Sequence, residues 1–270
     1  MRHEKKRVLF ARHLCKSFRT GSSKQDVLKS LDLEIYKGDF TVIMGNSGSG
    51  KSTLLYALSG MDHPSAGQIV YENGGQETSI TGFDNDRLAV FRREHVGFVF
   101  QQNYLNDSMS ALDNIMVVGL LRHKNRRELA ARAKELLKRV EIQNGDWDKF
   151  PAQMSGGMQQ RVAVVRGVIN RPEVLYADEP TGALNSQNTE NVLDILTDLN
   201  AEGQSIVMVT HTVAAAERGS RIIYLSDGMI SDEVELGPYA GSYRDEDNPE
   251  VEKAKERHAR LKEFLQDMGW

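Results

Sequence analysis

Nine consecutive residues, Gly45-Asn46-Ser47-Gly48-Ser49-Gly50-Lys51-Ser52-Thr53, combine three glycines, a lysine and four hydroxyls. They follow an apolar strand-like run at 40–44 and lead into a helical run at 53–58. That is the make-up of a phosphate-binding loop. Glycine lets the backbone curl until several N–H groups point inward at phosphate oxygens, and the helix behind adds its positive N-terminal end. Lys51 then reaches the β- and γ-phosphates, and the Ser52 hydroxyl holds Mg²⁺. A Gly/Ser linker shares the composition but lacks the strand before it and the helix after it.

A second stretch, Val174-Leu175-Tyr176-Ala177-Asp178-Glu179, is an apolar strand ending in two carboxylates. Strand carboxyl ends of a parallel sheet face the ligand crevice, so Asp178 can serve the same Mg²⁺. Glu179 is then placed to polarise an attacking water. Alone, such a pair is as well explained by a solvated loop; beside the loop at 45–53 it acquires a role. A third stretch, Met154-Ser155-Gly156-Gly157-Met158-Gln159-Gln160-Arg161, opens a helix at 162–169. Ser155 is its cap, and Gly156 and Gly157 expose backbone N–H groups, which makes a second anion site.

These residues need a scaffold, and the remaining sequence describes one. Short strand-like runs occur at 8–13, 27–35, 40–44 and 68–71, separated by turn signals at Thr20-Gly21-Ser22-Ser23, Lys37-Gly38-Asp39 and Asn73-Gly74-Gly75. Helices are expected at 84–94, at 110–121 with Ser110 as cap, at 126–140 and at 187–200. Further strands fall at 96–100, 206–210 and 221–225, and Asp227-Gly228 turns the last into a hairpin with 229–234. Alternating helices and short apolar strands indicate an α/β fold with a parallel sheet covered on both faces. The tail at 245–270 reads as a charged amphipathic helix starting at Asn248-Pro249, with Ala254, Leu261, Leu265 and Met268 on one face. Packing on its own domain is the plainer reading of that face.

Composition narrows the classes further. The 270 residues carry 34 Lys+Arg and 38 Asp+Glu, a net charge of −4, and 40 % are hydrophobic. That balance fits a globular protein and argues against a disordered chain or a nucleic-acid partner. The single cysteine, Cys15, excludes an internal disulfide, fits a reducing compartment and reads as a small core residue. No apolar run approaches the ~20 residues of a spanning helix. The basic start Met1-Arg2-His3-Glu4-Lys5-Lys6-Arg7 is not followed by the uninterrupted apolar stretch of a signal peptide. A role at a membrane therefore requires another chain to hold this one there.

With all three motifs in this order, residues 8–235 resemble the nucleotide-binding subunits of ATP-binding cassette (ABC) transporters. The resemblance implies further roles. Phe18 matches the aromatic that stacks on adenine. Gln101 matches the glutamine that touches Mg²⁺ and water and senses the membrane partner. Ser155 and Gly157 match signature residues that contact the γ-phosphate bound by the other subunit. His211 matches the histidine that contacts γ-phosphate; as a lone histidine it would carry no such reading. Thr181-Gly182-Ala183-Leu184-Asn185 matches the loop that crosses the dimer interface. Met158 stands where glutamine is usual and Asn185 where aspartate is usual, which bears on coupling between the two sites rather than on binding.

The strings Gly97-Phe98-Val99-Phe100-Gln101-Gln102 and Ala111-Leu112-Asp113-Asn114-Ile115 are similar to the ATPases of macrolide exporters, lipoprotein-releasing systems and antimicrobial-peptide exporters. The fold implied is a P-loop cassette at 1–235, with a parallel core sheet, an N-terminal antiparallel β subdomain and a helical insert at about 103–171, followed by the tail at 236–270. The implied unit is a head-to-tail dimer with ATP and Mg²⁺, attached peripherally to the cytoplasmic face of the membrane through a permease. That permease is expected to dock on 103–121, with Tyr104, Leu105 and Met109 exposed and Leu112, Ile115 and Met116 buried. Two other readings exist. The same ATPase could drive a membrane subunit that regulates cell-wall enzymes or a sensor kinase. A soluble ABC protein of DNA repair or translation is the other, but those carry a long coiled coil or two cassettes, and here Lys51 and Ser155 are 155 − 51 = 104 residues apart.

Overall fold

The structure is a computed structural model that describes residues 5–21, 23–245 and 247–270. Met1 to Glu4 of the basic start, and Ser22 of the first turn signal, lie outside the described residues. The chain divides into two compact units, Met1–Gly82 with Ser205–Trp270, and Phe83–Gln204.

The first unit holds two groups of strands. The strands β1 (Arg7–Thr20), β2 (Ser23–Tyr36), β4 (Ala66–Asn73) and β5 (Gln76–Ser79) form an antiparallel sheet in the order β2-β1-β4-β5. Leu9, Ala11 and Leu14 of β1 face Ile35, Leu33 and Leu31 of β2, and all six are buried. The pairing slips between Ala11 and Leu14, where His13 and Ser30 have positive φ. This bulge breaks the period of two, which is why the apolar alternation stops near residue 13 while the strand continues. Cys15, beyond the bulge, pairs with Ala66 and is half-buried, not a core residue.

The second group runs β10-β9-β3-β8 in this unit, from β3 (Phe40–Met44), β8 (Ser205–Val209), β9 (Arg221–Ser226) and β10 (Met229–Glu235). β3 is parallel to β8 and β9, and all five of its residues are buried. Helix α1 (Lys51–Leu58) buries Leu54, Leu55, Ala57 and Leu58. β10 returns antiparallel through Asp227 and Gly228, both at positive φ as a two-residue hairpin turn requires.

Helix α8 (Val251–Asp267) packs on this unit through Ala254, Leu261, Phe264 and Leu265. Met268 is only half-buried, and the same face carries a buried arginine. Arg257 donates to the carbonyls of Leu236 (2.6 Å), Glu217 and Gly219 (3.0 Å each) and Gly237. The helix starts later than Asn248-Pro249 suggests: Glu250 is its cap residue and Pro249 precedes it. Asn248 is otherwise engaged, donating to the Ala240 and Ser242 carbonyls at 2.8 and 3.1 Å.

The second unit contains a parallel pair, β6 (Val96–Val99) and β7 (Val174–Asp178), and helices α2 (Asn85–His95), α3 (Ala111–Gly119), α4 (Arg126–Arg139), α5 (Gly156–Val168) and α6 (Ser186–Ala201). Each helix is capped by a short polar side chain: Asp84, Ser110, Asn125, Ser155 and Asn185 in turn. Around α3, Ile115 and Met116 are buried as expected, and Tyr104 is 64 % exposed. Leu105, expected at the surface, is only 9 % exposed, and Leu112 is half-buried. Asn103 Oδ1 accepts from the Leu105 amide at 3.1 Å and folds the chain inward there.

Among the described residues no helix is long and apolar enough to cross a membrane.

Glu34 on β2 ties the antiparallel sheet together. It accepts from Arg7 at 3.0 Å, from the Tyr36 hydroxyl at 2.8 Å and from Arg12. Burial alone would raise its pKa, but the bonds from Arg12, Tyr36 and Arg7 outweigh burial and bring it from 4.5 to about 2. Because the folded value lies below the unfolded one, its stabilisation is full above about pH 4.5 and lost as pH falls through about 2. Glu34→Gln should therefore lower the melting temperature at pH 7 by roughly 2–6 °C. Melting curves against pH should show the gap to wild type closing between pH 4.5 and 2; a gap independent of pH would refute the assignment.

Candidate functional site

The first unit carries Phe18, the loop from Gly45 to Thr53 and His211; the second carries Gln101, Ser155 to Gly157, Asp178 and Glu179. In each unit, parallel pairing brings some of these residues to the carboxyl ends of neighbouring strands. β3 and β8 run side by side with Ile43 opposite Val209, so the loop and His211 both leave at carboxyl ends. β6 and β7 do the same with Val99 opposite Ala177, delivering Gln101 and the Asp178-Glu179 pair together.

The loop is shaped as an anion cradle. Gly45, Gly48 and Gly50 have φ of 145°, 78° and 103°, conformations that other residues rarely adopt. A Cβ at Gly45 would lie 2.0 Å from the Leu225 carbonyl oxygen, whereas one at Gly48 would meet nothing within 4 Å. Lys51 is buried, and its Nζ donates to the Gly45 and Asn46 carbonyls at 2.8 Å each. Ser49 Oγ is buried without a hydrogen-bond partner. No acidic residue lies in the first turn of α1, whose N-cap Gly50 offers no side chain. The Ser49 hydroxyl, the fixed Lys51 cation and a first turn without a carboxylate all fit a phosphate group. Asn46, Ser47 and Gly48 are exposed, Gly50 is buried, and Ser52 and Thr53 are half-buried.

Phe18 is 45 % exposed near the end of β1, with the Lys16 ammonium 4.9 Å from its ring centre. That lysine is held by the His63 carbonyl at 2.7 Å and Asp62 at 2.6 Å. His211 is exposed, two residues past β8. Thr212, next in sequence, caps a one-turn helix α7 (Val213–Ala216).

In the second unit, Asp178 ends β7 buried and Glu179 follows half-buried with φ of 45°. A non-glycine held there costs about 1–3 kcal/mol and re-aims the side chain. The turn is closed by the Gly182 amide donating to the Glu179 carbonyl at 3.0 Å. A Cβ on Gly182 would lie 2.8 Å from Gln101 Nε2 and 3.3 Å from a Glu179 carboxylate oxygen. The glutamine amide and the carboxylate therefore converge on one glycine, a juxtaposition that no sequence spacing reveals.

The segment carrying Gln101 is secured by α5. Gln160, 2 % exposed, donates to the Phe100 carbonyl at 2.8 Å. Asn103 donates to Gln159 at 2.8 Å, and Arg166 donates to the Asn103 and Tyr104 carbonyls at 2.5 and 2.7 Å. The sequence reading assigned no such role to Gln159, Gln160 or Arg166; polar side chains among the valines of α5 were the only sign of it.

Ser155 caps α5 as expected, accepting from the Met158 amide at 3.3 Å. The cap uses only backbone at 158, so methionine there does not disturb it. Ser155 and Gly156 are exposed; a Cβ on Gly157 would come within 2.2 Å of Asn188 Oδ1 on α6. Asn185 caps α6 by accepting from the Asn188 amide at 3.0 Å. The starts of α5 and α6 thus touch through Gly157 and Asn188.

Comparison with known proteins identifies the family. The ABC transporter family model matches residues 28–182. The macrolide export ATP-binding/permease protein MacB of Bradyrhizobium diazoefficiens is 41 % identical over 83 % of this chain and 33 % of the relative. MacB 1 of Aeromonas hydrophila subsp. hydrophila is 45 % identical over 79 % of the chain and 32 % of the relative. The chain spans about a third of the length of these curated relatives. Among solved structures, the dimeric ABC transporter cassette MJ0796 is similar with a TM-score of 0.78 at 38 % identity, covering 84 % of this chain and 98 % of that one. The same cassette in a post-hydrolysis dimer bound to ADP and Pi has a TM-score of 0.75 at 36 % identity, covering 84 % and 98 %. With its α/β architecture, the matching family model and these relatives, the chain belongs to the ABC transporter family, as an ATPase cassette.

Proposed function

We propose that this chain hydrolyses ATP with Mg²⁺ to power a separate membrane permease that exports or extracts a macrolide, an antimicrobial peptide or a lipoprotein. The observation that carries the reading is the cradle of Gly45 to Ser52, open at Gly48 and lined by buried Lys51. The macrolide-export name of several relatives supports the direction of transport and the first substrate class.

In this reading, the loop N–H groups and Lys51 bind the phosphates, Phe18 stacks on adenine, and His211 contacts the γ-phosphate. Ser52, Asp178 and Gln101 are the side chains that would hold Mg²⁺, which neutralises charge on the phosphate oxygens when bound. Among the described residues no three His, Cys, Asp or Glu side chains form a metal cluster. A few side chains with phosphate and water are the usual donor set for Mg²⁺. Glu179 accepts a proton from the water that attacks the γ-phosphorus, giving ADP and phosphate. Gln101, converging with it at Gly182, orients that water. Ser155, Gly156 and Gly157 complete the site of a second copy in a head-to-tail dimer, a reading supported by the dimeric relatives.

The cassette is taken as 1–235, with 103–171 as its helical subdomain and 236–270 as a tail. The permease docks on 103–121 with Tyr104 as the leading exposed side chain, which keeps the chain at the cytoplasmic membrane face.

Three substitutions test the reading. Lys51→Ala should weaken ATP binding at least about tenfold, because it removes the loop's side-chain cation; titration with unchanged affinity would place the phosphates elsewhere. Glu179→Gln should retain ATP binding and slow turnover by roughly 10²–10⁴. It should also accumulate an ATP-bound dimer on gel filtration, and steady-state rates within threefold of wild type would sink the base assignment. Asn185→Asp should leave the melting temperature within about one degree, since both residues cap helices equally well. Its expected effect is on the ATPase rate or Hill coefficient; both unchanged would mean that the missing charge is neutral.

A further inference from the structure

Strand β9 and the turn after it brace the phosphate loop from within the first unit. The Leu225 carbonyl closes on the Cα of Gly45, and the Gly228 amide donates to the Ser49 carbonyl at 3.1 Å. A third contact is made by a side chain: the Tyr224 hydroxyl donates to Asn46 Oδ1 at 3.4 Å. Tyr224 is 2 % exposed, and a buried tyrosine hydroxyl requires a partner. At 3.4 Å the bond is long for an O–H···O pair, so a small displacement of the ring makes or breaks it.

The ring is met by Trp270. The indole meets Tyr224 edge-on, with centres 6.3 Å apart and planes at 90°. Trp270 lies three residues past the end of helix α8, its amide donating to the Leu265 carbonyl at 2.9 Å, and the helix is itself fixed by Arg257 and the buried Leu261 and Leu265. Trp270 also borders a cavity of about 300 Å³ with Val213 and Leu265. Val213 lies two residues past His211, so one tryptophan adjoins the supports of both nucleotide-facing segments of this unit.

The chemistry at Asn46 gives the contact a consequence. Its amide has an acceptor end and a donor end. A hydroxyl engaging Oδ1 turns the Nδ2–H₂ donors the other way, which is the end an anion needs. Without that hydroxyl the amide is free to present its oxygen, which repels phosphate.

We propose that Tyr224 is a positioning residue for the phosphate loop, acting through Asn46, and that α8 sets its position through Trp270. This rests on the nucleotide reading of the loop from Gly45 to Thr53.

The test uses the full chain and Mg-ATP. Tyr224→Phe keeps the ring and removes the hydroxyl; it should raise the KM for ATP about 3- to 10-fold, the worth of one hydrogen bond, with kcat within twofold of wild type. Trp270→Ala should raise KM in the same direction, and Trp270→Phe, which restores an edge-on ring, should return it to within twofold. The Tyr224→Phe/Trp270→Ala pair should be no worse than the worse single variant. In a Trp147→Phe background, Trp270 emission should respond to Mg-ATP. An unchanged KM in Tyr224→Phe, a fall in kcat alone, multiplying effects in the pair, or silent Trp270 emission would each overturn the proposal. Lys51→Ala separates the two levels. If it binds Mg-ATP like wild type, the nucleotide reading fails; if it does not and Tyr224→Phe is silent, only the positioning role fails.

Discussion

The close approach of β3 and β9 at Gly45 governs the path of the loop from Gly45 to Thr53. The Leu225 carbonyl stands where a Cβ on residue 45 would be, so the chain can leave β3 there only as glycine. From that point the backbone turns through positive φ at Gly48 and Gly50 and enters α1. The curl is closed at Ser49, whose amide donates to the Asn46 carbonyl at 3.2 Å. The parallel strands behind it, buried on both faces, make this approach rigid. Loss of the approach would leave the lysine and the hydroxyls in place but without a cradle to complete.

The second unit solves a different problem, holding a carboxylate and an amide on a sharp corner. β6 and β7 present Gln101 and Glu179 at neighbouring strand ends, and Gly182 lets them converge. The corner is strained at Glu179, and the surrounding turn and α5 compensate. Helix α5 performs two tasks along its length. Its start, capped by Ser155, faces solvent with Gly156, and further along Gln160 and Arg166 grip the backbone at Phe100, Asn103 and Tyr104. A displacement of Tyr104 is thereby transmitted to the same helix whose start is capped by Ser155.

Local chemistry made much of this legible in the sequence. The phosphate loop, the buried strand Phe40–Met44, the caps Ser110 and Ser155 and the Asp227-Gly228 turn are each specified by neighbours in sequence. Features set by partners distant in sequence were not legible. Strand β5 has four exposed residues without alternation and exists because β4 pairs with it. The bulge in β1 hid the second half of that strand and moved Cys15 out of the core. Leu105 is buried by tertiary packing that its own segment does not announce. Arg257 sits on the apolar face of α8 because four carbonyls converge on it, an arrangement invisible to periodicity. The residue types of the site could be read one at a time, whereas the meeting of Gln101 and Glu179 at Gly182 required the fold.

The two bonds from Lys51 to the Gly45 and Asn46 carbonyls have an energetic meaning beyond shape. The ammonium acts as an internal brace for the curl of the loop. Ordering entropy is thus spent during folding rather than at each encounter with ligand. Under the proposed function, a polyanion would meet a cation already in position, so reorganisation would contribute little to the barrier for capture. The loop behaves as a template cast in advance, with the lysine as its core.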